Sequence, residues 1–145
     1  MADPKPTIHA SAVLVGATAL LIRGPSGSGK SRLALDLIQC GQLPFVRLVA
    51  DDRCHVEACN GRLLVRPAPE LAGLIEVRGL GIRRLPYEGV ALVSMAVDLA
   101  GSAPRMPDAS DHSADIAGIS IPRLVLGPDR LPVLLAVFRT HSSGI

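Results

Sequence analysis

The chain is poor in aromatic residues: Phe45, Tyr87 and Phe138 are all it has, 2% of 145 residues, and tryptophan is missing. Few rings means little surface on which unpaired bases could stack, which argues against single-strand nucleic-acid recognition. Charge adds no support, because fifteen Lys and Arg against thirteen Asp and Glu leave a formal +2, too weak a field for a nucleic-acid platform. Lysine is scarcer still. Lys5 and Lys30 are the only two, so thirteen of the fifteen basic residues are arginine, and the one internal ammonium hints at a need for a compact charge at that position. Cysteine is scarce and odd in number (Cys40, Cys54, Cys59) with no C-x-x-C pair, a pattern of reduced thiols and not of a disulfide framework. No apolar run approaches the roughly 18 residues of a spanning helix, and the opening MADPKPTIHA lacks the basic-then-apolar pattern of a signal segment. The expectation is a cytoplasmic protein with neither membrane nor nucleic acid as partner.

What is present is a core. Hydrophobic residues make up 48% and charged residues 19%, the balance of a globular chain of about one domain. The expected organisation is a lead-in over residues 1–8, one domain over 9–140 and a tail over 141–145. Short apolar runs at 12–15 and 18–23 read as strands. Residues 24–29 form a glycine-rich loop, and 31–40 (SRLALDLIQC) place Leu33, Leu37 and Cys40 on one helical face with Gly41 as the stop. A strand is expected at 47–50, ending in Asp51-Asp52, and a hairpin at 54–58 and 62–66 across Asn60-Gly61. A helical turn follows at 69–72, a break at Gly79-Leu80-Gly81, and strands at 90–99, 119–126 and 132–139. Residues 101–118 read as a long polar loop. The fold class expected is α/β: a P-loop nucleotide-binding fold with a strand-rich mixed sheet around one principal helix.

Gly24-Pro25-Ser26-Gly27-Ser28-Gly29-Lys30-Ser31 satisfies G-x-x-x-x-G-K-[ST] at every position. Glycines let the backbone curl so that successive N–H groups converge on phosphate oxygens. The helix that follows presents its positive end to the same anion. Lys30 would reach the β- and γ-phosphates and the Ser31 hydroxyl would bind Mg2+. The flanking apolar strand and amphipathic helix are the context that this chemistry requires. Asp51 and Asp52 stand at the end of the next strand, where ligands gather in such folds. A carboxylate there can hold the nucleotide's Mg2+, or accept the proton of an attacking hydroxyl.

Residues 74–82 read LIEVRGLGI. Together with His9, the glycine-rich loop and Val49-Ala50-Asp51-Asp52, this segment resembles the catalytic domain of the HPr kinase/phosphorylases, over roughly residues 9–82. The resemblance implies a short form holding only the C-terminal catalytic domain. It implies an ATP- and Mg2+-dependent kinase acting on a serine of the phosphocarrier protein HPr, with removal of that phosphate by phosphorolysis as a second activity of the family. By the same resemblance Gly24 to Ser31 and Arg78 bind nucleotide, and Ser31 and Glu76 are Mg2+ ligands. The Asp51-Asp52 pair contains the base, His9 matches an active-site histidine, and Arg105 is a candidate catalytic arginine. Arg130, within LVLGPDRLP, stands for an arginine of the family's C-terminal segment. Family members assemble as hexamers, so a homo-hexamer is expected.

Two other functions fit the loop alone: a P-loop kinase of a small metabolite, and a non-catalytic nucleotide-binding regulator. The first leaves the EVRGLGI segment unexplained, and the second has little need of the Asp51-Asp52 pair. Cys54, His55 and Cys59 lack a fourth ligand for a metal, and Asp108, Asp111, His112 and Asp115 read as a solvated loop.

Overall fold

Gly16 and Ala17 turn the first apolar stretch back on itself, so that β1 (Ile8–Val15) pairs antiparallel with β2 (Thr18–Arg23). Strand alternation sends Leu20 and Ile22 to one side of the sheet and Ala19 and Leu21 to the other, and all four are buried. Both faces of β2 are covered, which is why it reads as an unbroken apolar run. The computed structural model describes residues 7–101 and 112–140. In it α1 (Lys30–Gln39) follows β2, then β3 (Val46–Ala50), β4 (Arg53–Cys59), β5 (Arg62–Pro67), a 3-10 turn (Pro69–Leu71), β6 (Leu74–Val77) and β7 (Gly81–Arg84). The remainder is β8 (Ala91–Leu99), β9 (Ser113–Ile116), β10 (Ile119–Leu126) and α2 (Arg130–Arg139). No helix among the described residues is long and apolar enough to cross a membrane.

The fold is mixed α/β and strand-rich. β1 pairs with β2 along one edge and shares its other edge between β3 and β4. β8 runs parallel to β2 and to β10, and its first residues pair antiparallel with β5. These pairings make β2, β3, β8 and β10 point the same way, so their carboxyl ends lie along one edge of the sheet. α1 and α2 cover one face through Leu33, Leu37 and Leu134, packed with Leu20, Ile22 and Val97. The other face packs against β4, β5 and β9 through Cys54, Leu63, Val65 and Ile116. Asn60 and Gly61 have φ of 52° and 76°, the left-handed pair that the tight β4–β5 hairpin demands.

Three expectations need correction, and a fourth takes a definite form. Residues 132–139 are not a strand but most of α2, with Pro132 in the first turn, where its missing N–H costs nothing. A second helix therefore stands beside the expected one. The expected loop at 101–118 contains β9, joined to β10 by Ala117-Gly118 at positive φ, a turn with no Asn or Asp to announce it. The Gly79-Leu80-Gly81 break is the tip of a hairpin, in which Leu80 N–H donates to the Val77 carbonyl at 2.9 Å. Ile8, expected in the lead-in, belongs to β1 and pairs with Cys54.

Near the carboxyl end of β8, Asp98 accepts Arg23 Nε at 2.7 Å, Arg23 Nη2 at 2.8 Å and Arg123 Nε at 2.5 Å, clamping the three central strands together. Burial alone would raise its pKa, but hydrogen bonds and charge from both arginines outweigh this and hold it below the ordinary 3.8. A carboxyl depressed in the fold contributes stability above its unfolded pKa, and that contribution disappears as pH falls through the folded one. Asp98→Asn is expected to cost about 2 kcal/mol at pH 7, and the gap to wild type should narrow progressively below about pH 4. Urea melts at pH 7 and pH 3 check this; an equal gap at both would show that the carboxylate charge is not what binds the strands.

Candidate functional site

The glycine-rich loop leaves the carboxyl end of β2 and enters α1 through Gly29, whose φ of 98° is open to glycine without strain. No side chain caps α1, so its first-turn N–H groups have no side-chain acceptor. Lys30 is 7% exposed, and its ammonium donates to the Gly24 and Pro25 carbonyls at 3.0 and 3.2 Å. Two of its three protons bind the loop, and one remains for an anion. A guanidinium nitrogen of Arg130, at the start of α2, donates to the Ser28 carbonyl. It lies where a Cβ on Gly29 would sit, so the glycine also makes room for this contact.

β3 ends at Ala50, and the next two residues diverge. Asp51 is buried, whereas Asp52 is exposed with φ of 68°. Asp51 Oδ1 accepts the Ser31 hydroxyl at 2.7 Å and the Ser11 hydroxyl at 2.8 Å, and Oδ2 accepts the Glu76 N–H at 3.2 Å. One carboxylate thus ties α1, β1 and β6 together. Three donors on a buried carboxylate offset the cost of its desolvation.

A cleft of about 650 Å³ opens over this network, lined among others by Ser26, Lys30, Ser31, Asp52, Glu76 and Arg78, a size within the usual range for small-molecule sites. Its chemistry is mixed: ammonium and guanidinium groups that suit an anion, beside hydroxyls and carboxylates that suit a hard cation. The residues present therefore fit a phosphate chain with a divalent ion.

Of the residues singled out in the sequence, Ser26, Gly27, Gly29, Lys30, Ser31, Asp52, Glu76 and Arg78 line the cleft. Asp51 lies beneath it, and Gly24, Pro25 and Ser28 serve through carbonyls turned to Lys30 and Arg130. His9 is exposed on β1, in register with Arg53 of β4, and is not among the lining residues. Arg105, Asp108, Asp111 and His141 lie outside the described residues. Sequence reasoning missed Ser11, although a signal was there: one hydroxyl between two alanines in a strand whose remaining residues, His9 apart, are apolar.

The family model of the HPr Serine kinase C-terminal domain matches residues 2–86. An HPr kinase/phosphorylase of Limosilactobacillus reuteri is 42% identical over 80 residues, covering 54% of this chain and 24% of the relative. One from Caldicellulosiruptor bescii is 34% identical over 135 residues, covering 85% of this chain and 42% of the relative. The chain thus spans well under half the length of these curated relatives. Among solved structures, the Hpr(Ser) kinase/phosphatase from Coxiella burnetii superposes with a TM-score of 0.74 at 28% identity, covering 93% of this chain and 95% of that one.

Proposed function

The chain belongs to the HPr serine kinase C-terminal domain family, and from that premise we propose that it is an ATP-dependent kinase that phosphorylates a serine of HPr, with residues 9–140 as its catalytic domain. One observation carries the reading. Ser31 from the loop motif, Asp51 from the strand end and Glu76 from the EVRGLGI segment meet at one carboxylate beneath one cleft, although 20 and 25 residues separate Asp51 from its partners.

On this reading residues 24–31 are a phosphate loop. The α1 N-terminus, Lys30 and Arg78 hold the triphosphate and neutralise the charge that develops on it. Ser31 and Glu76 would hold a Mg2+ ion, which would supply further positive charge at the phosphate oxygens. The HPr serine hydroxyl enters at the exposed mouth of the cleft. Its oxygen forms a bond to the γ-phosphorus as the bond to the β–γ bridging oxygen breaks, and the Asp51-Asp52 pair takes the hydroxyl proton. ADP leaves. Such a transfer needs positioning and charge more than covalent help. Exposed Leu80 and Ile82 on the β6–β7 hairpin offer apolar surface for self-association, consistent with a homo-hexamer.

The test is incubation of the purified chain with HPr and γ-labelled ATP in Mg2+. Label is expected on HPr as phosphoserine, and an HPr whose serines are replaced by alanine should stay unlabelled. Tight ATP binding with no label on HPr would overturn the assignment of the acceptor.

A further inference from the structure

Three polar side chains are buried among the described residues: Ser11, Lys30 and Asp51. Lys30 and Asp51 belong to motifs legible in the sequence. Ser11 belongs to none. It sits on β1 between Ala10 and Ala12, all three with no exposed surface, where packing alone would favour a small apolar residue. A buried hydroxyl is costly unless it is hydrogen-bonded. This one is bonded twice: it donates to Asp51 Oδ1 at 2.8 Å, and its oxygen accepts the Asp52 N–H at 3.3 Å.

We propose that Ser11 is a positioning residue for phosphoryl transfer, the hydroxyl that aligns Asp51 beneath Ser31 and pins the Asp52 turn. The inference rests on the reading of the cleft as a nucleotide site. Asp51 Oδ1 is shared by two hydroxyls, those of Ser11 and Ser31. With the Ser31 proton directed to Asp51, the Ser31 lone pairs are left for the cleft that it lines. That direction holds only while the carboxylate keeps its orientation. Glu76 N–H restrains Oδ2 alone, at a long 3.2 Å, so Ser11 is the rigid second donor that stops Oδ1 from swinging away. The Ser11 hydroxyl oxygen also holds Asp52 by accepting its N–H, and the Asp52 φ of 68° is uncommon for a residue with a side chain. One hydroxyl on a core strand therefore orients both acidic residues without touching the cleft. A framework-only role is the rival, in which Ser11 merely satisfies a buried carboxylate.

The two roles separate in the full chain with Ser11→Ala and Ser11→Thr. Calorimetry would measure ATP affinity in Mg2+ and again in EDTA, alongside melting temperature and the kcat and KM of transfer to HPr. For Ser11→Ala the Mg2+-dependent gain in ATP affinity should fall about tenfold and kcat about 10- to 100-fold, while EDTA-state affinity and KM for HPr stay within about twofold. Ser11→Thr, which keeps the donor, should stay within about threefold of wild type throughout. An undiminished Mg2+ gain in Ser11→Ala would overturn the proposal. So would equal losses with and without Mg2+ accompanied by a lower melting temperature, the pattern of a framework residue. Failure of the wild-type chain to label HPr would remove the acceptor assignment and leave the calorimetric arm to decide Ser11.

Discussion

Asp51→Asn is expected to lower kcat/KM for transfer to HPr by roughly a thousandfold, with both removal of charge and a reversed hydrogen bond contributing. The carboxylate accepts from two hydroxyls on one oxygen and from a backbone N–H on the other. A carboxamide has a single acceptor oxygen. If that oxygen meets the hydroxyls, the amide N–H groups face Glu76 N–H, donor against donor, and β6 is pushed off. If it meets Glu76, the amide N–H groups face Ser11 and Ser31, whose protons must turn away. The Ser31 proton then points toward the cleft and blocks the lone pairs a cation would use. Stability should fall by about 1–3 kcal/mol as well, so activity is to be measured at a temperature where circular dichroism shows the variant folded. Near wild-type turnover in a folded variant would refute the placing of Asp51 at the centre of the site. Asp52→Asn is the informative partner, because Asp52 is exposed and its loss should leave the fold intact.

Lys30→Ala should be comparably severe for a different reason. The ammonium is buried against the loop and bridges the Gly24 and Pro25 carbonyls. With one proton left for a bound anion, it places a full charge in a poorly solvated position, where electrostatics is strong. Removing it takes the charge from the phosphates and the strut from the loop together. A loss in kcat/KM of about 10²–10³ is expected, with ATP affinity down at least about tenfold. Lys30→Arg should not rescue it, since a planar guanidinium on a longer stem cannot occupy the place of a compact ammonium between two carbonyls. Melting temperature should change little, since no buried partner charge is left behind. Retained activity in Lys30→Ala would remove the loop from the mechanism and return the glycine-rich segment to an ordinary turn.

Much of the site is legible in the amino-acid sequence, and the reason is local. Gly27 and Gly29 take positive φ, Asn60-Gly61 forms its turn and α1 follows the loop, because each depends on residues within a few positions of itself. The errors are equally physical. Residues 132–139 combine Pro, Val and Phe in a short apolar run whose periodicity suits either a strand or a buried helix. Leu134, turned inward with Leu33 and Leu37, decides for the helix. β9 is hidden in the sequence because the Ala117-Gly118 turn lacks the Asn or Asp before glycine that marks a tight hairpin, and its pairing with β10 is what holds it.

By itself, the sequence determined the chemistry on offer: a glycine-rich loop with its single internal lysine, an acidic pair at a strand end, and the EVRGLGI segment that carries the family resemblance. The tertiary structure alone decided which of these meet. It brought Ser11 and Glu76 to Asp51, left Asp52 open to the cleft, set His9 outside the lining, and clamped Asp98 between Arg23 and Arg123. Local conformation follows from neighbouring residues, but these contacts join residues 25 to 75 positions apart, and only the pairing order of the sheet and the burial of both its faces set which side chains share a carboxylate.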